Sequence, residues 1–353
     1  MRRFIEASLA ALFLSACVSF PPPPPARETP RFEDGRFVSF DGAAFGLSAW
    51  RAENPRAVLI AVHGMNDYAK AFEGAGEWWA REAGLVVYAY DQRGFGRSPG
   101  FRRWPGAATM RADLRAAIAA ARAAHPGLPL YVLGHSMGAA VVMTAMRDGP
   151  LDADGVVLAA PGVWGGAQMP VAYRIFLNLA ASVAPGKTVT GERAGRRATD
   201  NVEILRAMFA DPLVIKDTRL DAVLGVVRLM GAAWDASDEI GGRILVLYGR
   251  KDEIIPVRKM QHAAARLCGR VETRVYAEGW HLLFRDLQAE RVWRDVAAWT
   301  AETGAAQRWR PTARGADAAS PVSGAGPATS ACAGADGGRS VAVAVQRPDR
   351  TGM

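Results

Sequence analysis

The sequence predicts an α/β fold: a mostly parallel open sheet flanked by helices, with one helical segment inserted between two strands. Three observations carry this. Short continuous apolar runs recur along the middle of the chain and end in glycine, aspartate, proline or His-Gly. Such runs suit strands buried on both faces of a parallel sheet. Helical patterns separate the runs, and strands alternating with helices imply parallel pairing. From about residue 162 to 237 helical patterns continue without a convincing strand, which is the length of an inserted cap.

Taken in order, residues 37–40 and 44–50 read as an opening hairpin around Asp41-Gly42. The buried strands follow at 58–62, 85–90, 130–133, 156–160 and 244–248, with a shorter, more polar one at 271–276. Helices are predicted at 72–83, 108–124, 137–147, 257–267 and 288–301. In the cap, 169–184 and 220–234 are long apolar stretches with few charges. They serve either to hold an acyl chain or to pack the cap on the body.

The composition, 50% hydrophobic and 22% charged, is that of a globular chain. Net charge is +8, but residues 1–31 hold +2 of it and 304–353 hold +3. The nearly neutral remainder needs no basic face and no nucleic-acid partner. Three cysteines are too few for a disulfide framework. Cys268, at a predicted helix end, reads as an idle or buried thiol, and Cys332 falls in the tail. No metal-ligand cluster or cofactor motif is present in the sequence.

The two ends read as separate from the fold. Met1-Arg2-Arg3 and the short apolar run 4–16 have signal-peptide form, blemished by Glu6. The run ends in Leu14-Ser15-Ala16-Cys17, which resembles the lipobox of bacterial lipoproteins. That resemblance implies a signal at 1–16, a lipid-bearing Cys17 and a membrane partner through that anchor. Val18, where aspartate would favour the inner membrane, leans toward the outer one. Five consecutive prolines, Pro21 to Pro25, make 17–31 an extended spacer of at most roughly 50 Å. Residues 32–303 remain as the folded domain, and 304–353, rich in Ala, Gly, Pro and Arg, read as a disordered tail, in which 340–345 could form a short strand but with nothing nearby to cover it.

Chemistry enters at Gly134-His135-Ser136-Met137-Gly138, a G-x-S-x-G motif between a predicted strand and a predicted helix. The glycines allow a sharp turn that exposes the Ser136 hydroxyl, and the helix N-terminus favours developing negative charge. A serine nucleophile needs a base and an orienting acid. Of five histidines, His63 and His135 lie in glycine turns, His125 ends a helix and His262 sits within one. His281 alone follows a strand after Ser136, in Glu278-Gly279-Trp280-His281. The acid lies just past strand 244–248, at Asp252 or its neighbour Glu253.

These residues resemble the α/β-hydrolase fold and, within it, the monoacylglycerol lipase and lysophospholipase group, the serine aminopeptidase S33-like hydrolases. The resemblance spans residues 37–299. It rests on His63-Gly64-Met65, on Asp91-Gln92-Arg93-Gly94-Phe95-Gly96-Arg97-Ser98, on the serine motif, on residues 249–256 and on Gly279-Trp280-His281. Asp211-Pro212-Leu213-Val214 in the cap fits the group too. It implies Ser136 as nucleophile, His281 as general base and acid, Asp252 as orienter, and the backbone N–H groups of Met65 and Met137 as the oxyanion hole. It leaves the stretch from Asp91 to Ser98 a buttressing role.

The function expected is hydrolysis of carboxylic esters, with a small lipid ester as substrate, at the bacterial envelope. An aminopeptidase of the same fold is the alternative, with Glu192, Glu203 and Asp235 as candidate amine partners, and so is a lipoprotein with a binding role. Members with an aspartate nucleophile are disfavoured by Ser136. Lys187, Arg193, Arg196 and Arg197 form a basic run, read as a solvated loop.

Overall fold

The structure, a computed structural model, describes residues 18–190, 195–302 and 341–346, the last stretch by its backbone. The expected signal at 1–16, the anchor Cys17, Glu192, Arg193 and most of the tail lie outside the described residues.

β1 (Arg31–Glu33), β2 (Arg36–Val38) and β3 (Ala44–Trp50) open the chain as an antiparallel meander. β4 (Ala57–Val62), β5 (Leu85–Tyr90), β6 (Leu130–His135) and β7 (Gly155–Ala159) follow, and every residue in them is buried. This is why their sequences are continuous apolar runs and not alternating ones. β8 (Thr188–Thr190) and β9 (Asp217–Arg219) pair as a small separate ribbon. β10 (Gly241–Gly249), β11 (Cys268–Tyr276) and β12 (Val341–Gln346) complete the main sheet. Its order is β1-β2-β3-β5-β4-β6-β7-β10-β11-β12. From β5 to β12 all neighbours run parallel.

The helices are α1 (Glu73–Ala83), α2 (Ala107–Ala124), α3 (Met137–Asp148), α4 (Val171–Val183), α5 (Val202–Ala210), α6 (Leu220–Ala236), α7 (Val257–Arg266) and α8 (Ala289–Ala301). α1 packs on β5 and against α8, and α2 packs against α3. The cap, between β7 and β10, holds α4, α5, α6 and the β8–β9 ribbon. α6 packs on α3, and α4 packs on α6.

Three expectations need correction. The tail is not without structure, because Val341–Gln346 pairs in parallel with β11. The outer edge of β11 offers a row of backbone donors and acceptors, and the backbone of Val341–Gln346, a sequence of high β propensity, pairs with it. Cys268 is disulfide-bonded and not an idle thiol. The proline spacer does not hang free. Arg27 and Glu28 donate backbone N–H groups to Phe40 O at 2.7 and 2.9 Å, and Phe20 meets Trp104 edge to face.

Candidate active site

Ser136 sits on the turn between β6 and α3 with φ 53° and ψ −115°. A non-glycine residue there is strained by about 1–3 kcal/mol and persists only where its surroundings impose it. They do so here. Ser136 N–H donates to Ala159 O at 2.9 Å, and Ser136 O accepts from Ala140 and Gly162 at 3.2 and 3.0 Å. The flanking glycines are spatial requirements. A Cβ on Gly138 would lie 2.1 Å from Val62 O, and one on Gly134 would lie 2.6 Å from Ala139 N.

His281 follows β11 and faces this turn. Its Nε2 is 2.9 Å from Ser136 Oγ, and its Nδ1 is 2.7 Å from Asp252 Oδ2. An ionised carboxylate only accepts, so Nδ1 carries the proton and Nε2 accepts from the serine hydroxyl. The other oxygen of Asp252 accepts from Ile254 and Ile255 N–H at 2.8 and 2.9 Å. Burial opposes ionisation of Asp252. The His281 ring and those two N–H groups outweigh it and hold the carboxyl below the ordinary aspartate value. Glu253 points elsewhere, accepting from Arg197 N–H at 2.7 Å.

Burial keeps His63 below the ordinary value, and its Nε2 accepts from Gln92 N–H at 2.8 Å. His125 bonds the Tyr88 hydroxyl, and His262 is exposed on α7. The motif's own His135 has a part the sequence did not signal: its Nε2 meets His281 O at 2.9 Å.

Met137 opens α3, where the first N–H groups of a helix lack internal partners. A Cβ on Gly64 would lie 3.3 Å from Ser136 Cβ, so the peptide leading into Met65 runs beside the nucleophile. The cap clamps the next residues. Ile215 N–H donates to Asn66 O at 2.9 Å, Asn66 Nδ2 donates to Thr218 Oγ1 at 2.7 Å, and the Tyr68 hydroxyl donates to Asp211 Oδ2 at 2.6 Å. The last of these bonds is the part played by Asp211 of the Asp211-Pro212-Leu213-Val214 motif.

Two further links tie the base loop down. Arg285 forms an ion pair with Asp67, joining it to the loop after Met65. Asp286 accepts from Thr199 Oγ1 at 2.6 Å and from Trp280 N–H at 2.8 Å. Burial raises its carboxyl to about 6. Asp91 accepts from Ala69 N–H and from Arg97, a supporting arrangement as expected. A cavity of about 550 Å³ lies between α5 and the body, lined by Tyr68, Ile204, Met208, Phe284 and Trp293, without reaching Ser136.

The described members of the basic run, Lys187, Arg196 and Arg197, are exposed, as a solvated loop requires. Arg196 stacks over Trp164 at 5.2 Å and Arg197 over Trp280 at 4.9 Å, so both brace loops around the site. Of the candidate amine partners, Glu203 pairs with Arg206 in solvent and Asp235 is exposed.

Residues 53–288 match the serine aminopeptidase S33 family (Hydrolase_4). The chain belongs to this family. A monoacylglycerol lipase of Mycolicibacterium smegmatis is 29% identical over 270 residues, 74% of this chain and 95% of that one. A monoglyceride lipase homolog of monkeypox virus is 24% identical over 253 residues, covering 69% and 89%. Among solved structures, the monoacylglycerol lipase of Paleococcus ferrophilus superposes with a TM-score of 0.64 at 20% identity, covering 73% of this chain and 98% of that one. The Saccharomyces cerevisiae monoglyceride lipase does so with a TM-score of 0.64 at 19% identity, covering 80% and 98%. The S33 chain therefore has the α/β-hydrolase fold that its motifs implied.

Proposed function

We propose that this S33 chain is a serine carboxylic-ester hydrolase acting on lipid esters such as monoacylglycerols or lysophospholipids. The observation that carries the reading is the unbroken hydrogen-bonded line from Asp252 through His281 to Ser136, 2.7 and 2.9 Å long. Ser136 Oγ attacks the ester carbonyl while His281 Nε2 takes its proton. The oxyanion so formed meets the N–H groups of Met137 and Met65, each such donor being worth roughly 10²–10³ in rate. His281 then gives its proton to the leaving alcohol, and an acyl-enzyme remains. A water, deprotonated by the same nitrogen, reverses the steps and frees the acid. Asp252 keeps the imidazole in the required tautomer.

Apolar side chains near the nucleophile favour a lipid acyl group. Met65 is partly buried in the core, and Met230 of α6 lies beside Gly162, whose N–H bonds Ser136 O. The lipase relatives lend weight to the same substrate class. Of the candidate amine partners, Glu203 is engaged by Arg206 and Asp235 is exposed, while Glu192 lies outside the described residues. Hydrolysis of p-nitrophenyl esters of rising chain length, beside aminoacyl amides, tests this. The expectation is efficient ester cleavage that improves with chain length. A preference for the amides would favour the aminopeptidase reading instead.

The same reading places the domain, residues 32–303 with its cap at about 162–237, outside the cytoplasm. The signal at 1–16 is removed and a lipid on Cys17 holds the chain at the envelope, the outer membrane by the Val18 argument. The disulfide at Cys268 supports the placement outside the cytoplasm, since such bonds persist in oxidising compartments. Fractionation of wild type and Cys17→Ser, with mass spectrometry of the N-terminus, tests it. An unmodified wild-type chain in the cytosol would overturn the anchor.

A further inference from the structure

His281 is fastened from two sides. On the side of the body, His135 Nε2 meets His281 O at 2.9 Å, and Lys251 N–H donates to Gly279 O at 2.9 Å. The other side belongs to the cap. Four consecutive cap residues, Ala198 to Asn201, each bond the loop that follows the base. Leu282 N–H donates to Ala198 O at 2.9 Å, and Thr199 Oγ1 donates to Asp286 Oδ1 at 2.6 Å. Leu287 N–H donates to Asp200 Oδ1 at 3.0 Å, and Asn201 Nδ2 donates to Arg285 O at 3.1 Å.

Asp286 is where this seam reaches the base. Its second oxygen, Oδ2, accepts from the N–H of Trp280, the residue before His281, at 2.8 Å. Thr199, Asp286 and the backbone that carries His281 thus form one hydrogen-bonded line. Thr199 is fully buried and Asp286 is 3% exposed, so bulk water does not compete for either bond. Bonds to an ionised carboxylate are also roughly twice as strong as neutral ones. His281 has to keep Nδ1 on Asp252 at 2.7 Å while its Nε2 stays 2.9 Å from Ser136 Oγ. Asp252 fixes one end of the ring. The backbone from which the ring hangs is held by His135 on the body side and by Asp286 on the cap side.

We propose that Asp286 is a positioning residue for the base and that, through Thr199, the cap sets where His281 stands. The catalytic line is then complete only while residues 198–201 are seated on the base loop, and the cap takes part in turnover as well as in binding. This rests on the reading of His281 as the general base. Ground-state binding of an ester needs no proton transfer, so loss of the joint lowers kcat and leaves KM in place.

The experiment measures hydrolysis of a short p-nitrophenyl ester by the full chain at pH 8. Active sites are counted from the p-nitrophenol burst, so that unfolded chains do not enter kcat. Thr199→Val keeps the side-chain shape and removes the hydroxyl. It should lower kcat about tenfold with KM unchanged to about twofold, and slow inactivation by a fluorophosphonate in parallel. Thr199→Ser returns the hydroxyl and should restore kcat to within about twofold of wild type. Asp286→Ala should lose at least as much as Thr199→Val, and combining the two should cost nothing further, because both break the same line. If Asp286→Ala does not fold, the Thr199 pair decides the matter. Full kcat per active site in Thr199→Val overturns the proposal, whatever its thermal midpoint. A raised KM at unchanged kcat, or no recovery in Thr199→Ser, overturns it too. His281→Ala separates the two readings. Turnover retained there overturns His281 as the base, whereas an inactive His281→Ala beside a full-rate Thr199→Val overturns the positioning role alone.

Discussion

The ring of His135 ends on the carbonyl of His281, with Nε2 2.9 Å from O. The residue before the nucleophile therefore holds the backbone of the residue that carries the base. The two rings lie 5.2 Å apart between centroids, and Phe284 packs edge-on to His135 at 6.0 Å. Burial, then the proximity of His281, lowers His135 to about 3. It stays neutral wherever the enzyme can work, and it donates to the carbonyl.

That neutrality makes stability depend on pH. An unfolded histidine binds a proton below about 6.5, while His135 in the fold binds one only near 3. Between these values the unfolded state holds more protons, so stability rises with pH and is lost as pH falls below about 6.5. His135→Gln keeps a donor toward His281 O and does not titrate. Urea midpoints at pH 7 and pH 4 should show wild type losing about 3 kcal/mol more than the variant. Equal losses in the two proteins would place the acid sensitivity elsewhere.

Ser136→Ala, His281→Ala and Asp252→Asn should each lower kcat on soluble esters by about 10⁴-fold or more, and the losses should not add. Ser136→Ala should abolish fluorophosphonate labelling with little change in thermal midpoint, because only one small hydroxyl is removed. Glu253→Gln is the informative companion. Glu253 accepts from Arg197 N–H and does not touch His281, so its variant should keep activity within a few-fold. Near wild-type turnover in Asp252→Asn, with loss in Glu253→Gln, would reverse the assignment of the acid.

Gly138→Ala should destabilise the protein by about 3 kcal/mol or more, read as a thermal midpoint or as loss of soluble protein. The added carbon would meet the Val62 carbonyl at 2.1 Å, a backbone atom in a buried strand that cannot move aside. Gly186→Ala is the contrast, because its nearest neighbour is the flexible end of Arg219 at 3.1 Å. Similar costs at the two positions would mean that the elbow relaxes more easily than its packing implies.

The parts visible in the sequence share a physical cause. β4 to β7 are buried on both faces, so burial left continuous apolar runs to be seen. Ser136 and His281 could be found because the turn needs glycines on both sides and the chain has few histidines. The strands β1, β8 and β9 have three residues each, too few to show a period. α5 has only nine residues and none of them is buried, so it does not stand out from the helical pattern of the cap. Asp252 and Glu253 are adjacent acids, and only the reach of each side chain in space separates them. His135 occupies the variable position of its motif, and nothing in the pattern there shows that its ring grips His281. The clamps from Asp211 to Tyr68 and from Asp67 to Arg285 join residues more than a hundred positions apart, where local patterns carry no information.

The first of those clamps yields the last prediction. Tyr68 donates its hydroxyl to Asp211 Oδ2 at 2.6 Å, just beyond the loop that supplies Met65. Asn66 in that loop has φ 65°, a left-handed backbone held by its bonds to Ile215 and Thr218. The cap therefore presses on the oxyanion loop at two neighbouring points. Tyr68→Phe removes one of them and leaves Asp211 with Leu213 N–H at 2.9 Å and Lys70 at 3.8 Å, so the carboxylate is not stranded. The bond to a charged acceptor is worth about 1.5–3 kcal/mol at most, and only part of that reaches the loop. An oxyanion donor acts when charge appears on the substrate oxygen, so its misplacement lowers kcat more than it raises KM. Tyr68→Phe should accordingly reduce kcat about five- to tenfold on a short p-nitrophenyl ester, with KM nearly constant. A raised KM at unchanged kcat would mean instead that Tyr68 and Asp211 shape the ground-state pocket, not the N–H of Met65.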